Sequence, residues 1–267
     1  MTCLLCPHYC ELSSGAVGKC LVRGEKDGEV ILSTHSCLSV VAVEPIEKKP
    51  FRHYLSNTKT LSLGGYGCNL DCRFCENHRI SQESSDPKEK IDPKQIIRMA
   101  HDKGCQSICM TYNEPIVYIE YLLELGRLCQ KNKLPFLLKT NAFVSPDVWF
   151  EICSLNPVLN IDWKGSRDKF KYITNSNAYV VEDRIKEAFE TPLHIEISVP
   201  LYYDDKDIEE EMRYLGNFLS SLSDSIPCHI LTVYPAHNYL DFLPSKKNMS
   251  MALDILSSYM MFVYEYK

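Results

Sequence analysis

The sequence predicts an α/β fold, a partial (β/α)6 barrel of the TIM type with a cysteine-rich N-terminal extension. Three observations predict it. From residue 59 onward, short apolar runs alternate with amphipathic stretches of helical period, and six such units can be traced. Residues 58–267 allow about 35 residues per unit, where a βαβ unit takes roughly 30 or more. A closed eight-unit barrel takes about 250 residues, so the expectation is an open six-unit barrel, with a doubly wound sheet as the alternative. The chain thus divides into residues 1–57, an extension expected to bind metal, and residues 58–267, the barrel.

Each element has a local reason. In the extension, residues 30–32 and 40–43 are β-branched and extended. Residues 60–63 form the first barrel strand, followed by the turn Gly64, Gly65, Tyr66, Gly67. The polar residues 81–90 read as a mobile stretch. Asp92 caps a helix whose first residue is Pro93. Residues 107–112 are the second strand, and 115–133 a long helix with Ile119, Leu122, Leu123 and Leu125 on its apolar side. Residues 136–138 are a buried strand, and Ser145 and Pro146 open the next helix. Strand 158–163, helix 181–189, strand 194–199, helix 207–222, strand 229–234 and a final helix 248–264 complete the alternation.

Composition excludes several classes. The chain has 267 residues, 45% hydrophobic and 24% charged, as a globular protein has. Its 29 basic and 35 acidic residues give a net charge of -6, which argues against sequence-independent nucleic-acid binding. No apolar run is long enough to span a membrane. Thirteen cysteines in a chain of this size, with no signal-peptide pattern at its start, are expected to be reduced in a cytoplasm and kept for metal. Cys105, Cys109, Cys129 and Cys153 lie in apolar or helical segments and read as core residues.

Cys68, Cys72 and Cys75 follow the first strand in C-x3-C-x2-C spacing. Three thiolates on one short loop can hold three irons of a [4Fe–4S] cluster, whereas an electron carrier uses four. The fourth iron is then open to a substrate or cofactor. Ligands of parallel α/β folds sit beyond the carboxyl ends of the strands, and polar residues recur at that level. They are Thr111, Tyr112, Asn113 and Glu114, then Lys139, Thr140 and Asn141, then Asp162, Trp163 and Lys164, then Glu196 and Ser198, and finally His229 and His237.

The cysteine loop, with Phe74 before its last cysteine, resembles the signature of the radical SAM superfamily. Further runs resemble one branch of it: Glu44-Pro45-Ile46-Glu47-Lys48-Lys49-Pro50, His53, Gly67-Cys68-Asn69, Cys75-Glu76-Asn77, Ile80-Ser81-Gln82, Thr111-Tyr112-Asn113-Glu114-Pro115, Thr140-Asn141 and Ile161-Asp162-Trp163-Lys164. That branch is the AmmeMemoRadiSam-system proteins, relatives of pyruvate formate-lyase activating enzymes. The resemblance implies a cluster on Cys68, Cys72 and Cys75 that binds S-adenosylmethionine (SAM) at its open iron. It implies reductive cleavage of SAM to methionine and a 5′-deoxyadenosyl radical, with hydrogen abstraction from a substrate. It places Asn113 and Glu114 at the SAM amino group, Lys164 beside Asp162 at its carboxylate, and Thr140 and Asn141 near its ribose and methionine. Tyr66, Phe74, Lys139 and His237 are the remaining candidates at the cofactor. A flavodoxin or ferredoxin is the implied reductant, and the substrate is a small molecule, a peptide or a protein.

The sequence departs from the branch in places. Lys139 stands where activating enzymes carry an acidic residue beside a monovalent cation, Ala142 replaces a glycine, and Glu76-Asn77-His78 replaces Gln-Asn-Trp. The chain also ends earlier than typical members, in the part expected to contact substrate. Cys3, Cys6, Cys10 and Cys20 form a second thiol group, suited to a closed zinc site or to an auxiliary [4Fe–4S] cluster, with His8 and Cys37 as spare ligands. The leading expectation is a radical SAM enzyme of unassigned substrate. Its rivals are a glycyl-radical activase acting on a protein partner, a non-catalytic electron-transfer protein, and a zinc-stapled binding module.

Overall fold

A computed structural model describes residues 1–13, 15–83, 90–177, 179–202, 207–240 and 243–266. Its centre is a sheet of eight strands. In chain order these are β3 (Val40–Pro45), β4 (Lys59–Gly64), β5 (Ser107–Met110), β6 (Phe136–Thr140), β7 (Val158–Asp162), β8 (Ile195–Leu201), β9 (Cys228–Thr232) and β10 (Val263–Tyr266). They lie side by side in that order, β3 at one edge and β10 at the other. All neighbours are parallel except β3, which runs antiparallel to β4. Strands β4 to β9 are the six predicted ones, and among the described residues β3 and β10 are not paired with each other. The barrel is therefore open along a seam between them. A small hairpin, β1 (Arg23–Lys26) and β2 (Glu29–Leu32), precedes the sheet.

Central strands are covered on both faces and so carry unbroken burial, as in β5, where every residue is buried. The covering helices begin with α1 (His78–Ser81), a single turn in the cysteine loop, and α2 (Pro93–Asp102). In α2 the Asp92 side chain accepts from the Lys94 amide while Gln95 reaches back to the Asp92 amide, a reciprocal cap. The predicted helix 115–133 is a 3-10 turn, Pro115–Tyr118, followed by α3 (Ile119–Lys131). Then come α4 (Pro146–Cys153), α5 (Arg167–Thr174), α6 (Val181–Phe189), α7 (Ile208–Leu222) and α8 (Lys246–Ser257).

Two readings of the sequence need correction. The final helix stops at Ser257, and the end of the chain turns back into the sheet as β10. Val263-Tyr264-Glu265-Tyr266 is β-branched and aromatic, which fits a pleated edge better than a helix end. Helix α5 was not anticipated, since only Phe170, Ile173 and Thr174 of its eight residues are buried. It closes on Asn175 in the left-handed conformation, φ 54°. Residues 84–89 of the polar stretch lie outside the described residues. The N-terminal segment shares the main core, with Leu5, Val22 and Leu38 packed into the same cluster as Leu61 and Leu63.

Candidate functional site

At the carboxyl ends of the parallel strands lies a cavity of about 420 Å³. Cys68, Cys72, Cys75 and Phe74 line it from the loop after β4. Asn113 and Glu114 enter after β5, Lys139 and Asn141 from β6 and beyond, and Asp162 and Lys164 at the end of β7. The far wall comes from Lys48, Lys49 and Pro50 after β3, from Leu231, Thr232 and Val233 at the end of β9, and from Tyr266 on the edge strand β10.

The cysteine loop is held by backbone contacts. The Asn113 side chain accepts from the Gly65 amide at 2.8 Å and donates to the carbonyls of Tyr66 (3.2 Å) and Gly67 (2.8 Å). Both of its polar atoms thus fix the glycine turn that presents Cys68. The Leu70 amide is turned toward the Cys68 sulfur, and the Asn77 amide toward that of Cys75. Asn141 donates to Asn69 Oδ1 at 3.0 Å, its Nδ2 lying 3.9 Å from the Cys68 sulfur.

The carboxylate of Glu114 is buried and already has three donors. Ile116 N (3.1 Å) and Thr140 Oγ1 (2.7 Å) donate to one oxygen, and Asn141 N (2.8 Å) to the other. It ties β5 to β6 and sets Asn141 under Cys68, and Thr140 does the same from beneath rather than lining the cavity. Burial outweighs these bonds and raises its pKa to about 7. A cation entering the cavity would favour the ionised form.

A charged triad crosses the cavity floor. Lys139 Nζ lies 2.5 Å from Asp162 Oδ1, and Lys164 Nζ 2.8 Å from Asp162 Oδ2. Lys139 also donates to Asn160 Oδ1 and Ser198 Oγ, each at 3.0 Å. Burial alone would raise Asp162, but the two ammoniums outweigh it and hold its carboxyl at about 2. For Lys139 burial wins and its pKa falls, whereas for Lys164 the anions around it win and its pKa rises. Lys139 is thus spent on Asp162, and Lys164 is the ammonium that faces the thiols and the Phe74 ring, 5.6 Å away.

The donor set fits a cluster. Burial drives Cys72 up to about 12 and raises Cys68 and Cys75 as well. Only a strong local positive charge would keep such thiols ionised, and a metal supplies one. The turned amides and Lys164 favour the same charged state.

Four of the candidates lie away from the cavity lining. Tyr66 is buried in the core, its amide donating to Tyr118 Oη at 2.9 Å. His237 stacks on His78 with centroids 5.0 Å apart and stands 3.7 Å from Asp71. Glu196 and His229 sit near the amino ends of β8 and β9, bonded to each other at 2.6 Å, so they are not part of the carboxyl-edge constellation. The residues that motif reading left without a role are those of the far wall, where the run 44–50 was the available signal.

A profile of the radical SAM superfamily matches residues 63–215. An uncharacterised protein of Methanocaldococcus jannaschii is 29% identical over 251 residues, 91% of this chain and 73% of that protein. A solved domain of a pyruvate-formate lyase-activating enzyme from Bacteroides vulgatus superposes with TM-score 0.52 at 18% identity, covering 60% of this chain and 99% of that one. Streptococcus suis SuiB bound to S-adenosylmethionine superposes with TM-score 0.61 at 15% identity, covering 77% and 50%. With the profile spanning more than half of its length, the chain belongs to the radical SAM superfamily and is a radical SAM enzyme.

Proposed function

We propose that Cys68, Cys72 and Cys75 hold a [4Fe–4S] cluster and that SAM occupies the adjoining cavity, with an unassigned substrate entering from the seam. The observation that carries the reading is the convergence of three thiols, one buried and two half-buried, with Lys164 and Glu114 on one cavity. The cluster, when bound, supplies the electron that cleaves SAM to methionine and a 5′-deoxyadenosyl radical, which takes a hydrogen atom from the substrate. The protein's own residues position and shield. Lys164, oriented by Asp162, pairs with the SAM carboxylate. Glu114 keeps one lone pair of Oε2 for the SAM ammonium while its other bonds fix Asn141. Asn113 keeps the cysteine loop in place, and Phe74 walls the cavity from Tyr202, to which its ring is T-shaped at 5.3 Å.

Two unpaired sheet edges bound the cavity, so a chain segment can enter from the side. This supports a peptide or protein substrate, of which glycyl-radical activation is one case. The test is anaerobic reconstitution followed by SAM and a strong reductant. 5′-Deoxyadenosine and methionine should form, and Cys72→Ala should abolish both. A fully loaded cluster that cleaves no SAM would leave an electron-transfer protein as the answer.

A further inference from the structure

Cys3, Cys6, Cys10 and Cys20 surround one small enclosed space, with Arg23, Asn69 and Val117 among its other walls. All four cysteines are free thiols. Each of three has an amide aimed at its sulfur: His8 N at Cys6, Val22 N and Arg23 N at Cys20, and Lys19 N at Cys10, 3.5 Å away. Two of these repeat the spacing seen at the SAM-cluster loop, where the amide two residues on faces Cys68 and Cys75. A neutral thiol is a weak acceptor, so such donors matter only to a thiolate.

A buried guanidinium adds to them. Arg23 is 5% exposed. It is bidentate to Glu120 at 2.5 and 2.9 Å, and its Nε has no partner. The side chain lines the thiol-walled space, where negative sulfur is the missing counterpart. Among the described residues no three Cys, His, Asp or Glu side chains converge at the distances of a single metal ion. The same holds for Cys68, Cys72 and Cys75.

The two thiol groups share a wall. His8 Nε2 is 2.7 Å from the Asn69 carbonyl. Gly67, at φ 74°, lies so close to the Cys20 carbonyl that an added Cβ would come within 2.1 Å of it. Cys68 is the next residue.

We propose that Cys3, Cys6, Cys10 and Cys20 hold a second [4Fe–4S] cluster that passes electrons singly from a low-potential protein donor to the SAM-binding cluster. The proposal rests on the reading of Cys68, Cys72 and Cys75 as that cluster's ligands. Each transfer oxidises the donor by one electron, reduces the second cluster and then the first, and makes or breaks no bond.

The test uses the full chain with Cys68→Ala, Cys72→Ala and Cys75→Ala together, reconstituted anaerobically. About four irons per chain should remain, with a reduced-cluster EPR signal that SAM does not alter. One equivalent of zinc, or no iron in a variant whose circular dichroism matches the wild type, overturns the proposal. Cys6→Ala with Cys20→Ala should keep the SAM-responsive signal and lose the other. Its reduction by a reduced flavodoxin should be about tenfold slower than that of the wild type, and an equal rate overturns the relay. Should that variant not fold, the wild-type iron count decides, about eight supporting the second cluster and about four refuting it. Loss of the SAM-responsive signal from a folded double variant would instead count against the reading of the first site.

Discussion

Asp162→Asn removes the one anion between two ammoniums. Lys139 would keep Asn160 and Ser198 as acceptors, but Lys164 would lose the carboxylate oxygen to which it donates, and an amide N–H in its place would face an ammonium. Breaking a buried pair costs about 3–5 kcal/mol. The side chains of Asp162, Lys139 and Lys164 are 23%, 19% and 9% exposed, which points to the lower end. A loss of about 3 kcal/mol corresponds to a drop of roughly 6–12 °C in Tm. The sign of the pH dependence follows from Lys139. Its pKa is already lowered by burial, and without Asp162 it falls further, so the folded variant binds fewer protons than the unfolded chain. Its stability then rises with pH toward the unfolded lysine value, and the gap to wild type narrows. Urea unfolding of cluster-free protein at pH 7 and pH 9 measures both quantities. A loss under about 1 kcal/mol at pH 7, or a gap that widens with pH, would refute a coupled triad.

Three further outcomes are expected. Gly67→Ala meets the Cys20 carbonyl and Val22 and forces a left-handed φ on a residue with a Cβ, so it should cost at least about 2 kcal/mol in urea unfolding and lower iron uptake. Asn113→Ala frees the Gly65 amide and two carbonyls of the cysteine turn, and should reduce stability by about 1–3 kcal/mol while lowering the rate of SAM cleavage per iron bound. Glu196→Gln disturbs a carboxylate that binds His194, His229 and the amides of Arg52 and His53, and should cost about 3 kcal/mol at pH 7 with SAM cleavage per folded molecule unchanged. Burial would raise Glu196, but its donors outweigh it and hold it at about 2, so its contribution is full above the ordinary value of 4.5. The difference between variant and wild type should shrink as acid unfolding is followed from pH 4.5 toward pH 2.

What the sequence made legible was local or periodic. The cap at Asp92, the six apolar strands and the three-cysteine loop each depend on residues close in the chain. What it hid was partnership. Asn113 and Glu114 carry the chemistry of cofactor ligands, yet most of their hydrogen-bonding capacity goes to a glycine turn and to β6, and only the fold reveals that. Glu196 and His229 were grouped with the carboxyl edge although the strand bounds 194–199 and 229–234 already place them toward the amino ends, as the structure has them. The start of β10 was lost to a helix read as 248–264, since a short edge strand has no period long enough to compete with the Met- and Leu-rich run before it.

An open barrel must keep water out of its base while leaving its mouth accessible, and residues 50–53 show how this chain does both. The Pro50 carbonyl accepts from Asn160 Nδ2 inside the barrel at 2.8 Å. The next two amides, of Arg52 and His53, each bond to Glu196 at 2.9 Å. The His53 ring then reaches β10, bonding Tyr264 Oη at 2.7 Å and packing on Phe262 with centroids 4.5 Å apart. The segment leaves β3, crosses under the strands and arrives at the opposite free edge, so it bridges the seam at the amino end. Glu196 is buried there as the acceptor for a crossing backbone, which explains a charged residue inside the barrel that takes no part in the site. At the carboxyl end Tyr266 lines the cavity together with the cysteine loop, and among the described residues β10 and β3 are not paired. The extension is therefore tied to the barrel twice: its thiol-walled space lies against Asn69 of the cysteine loop, and residues 50–53 close the base.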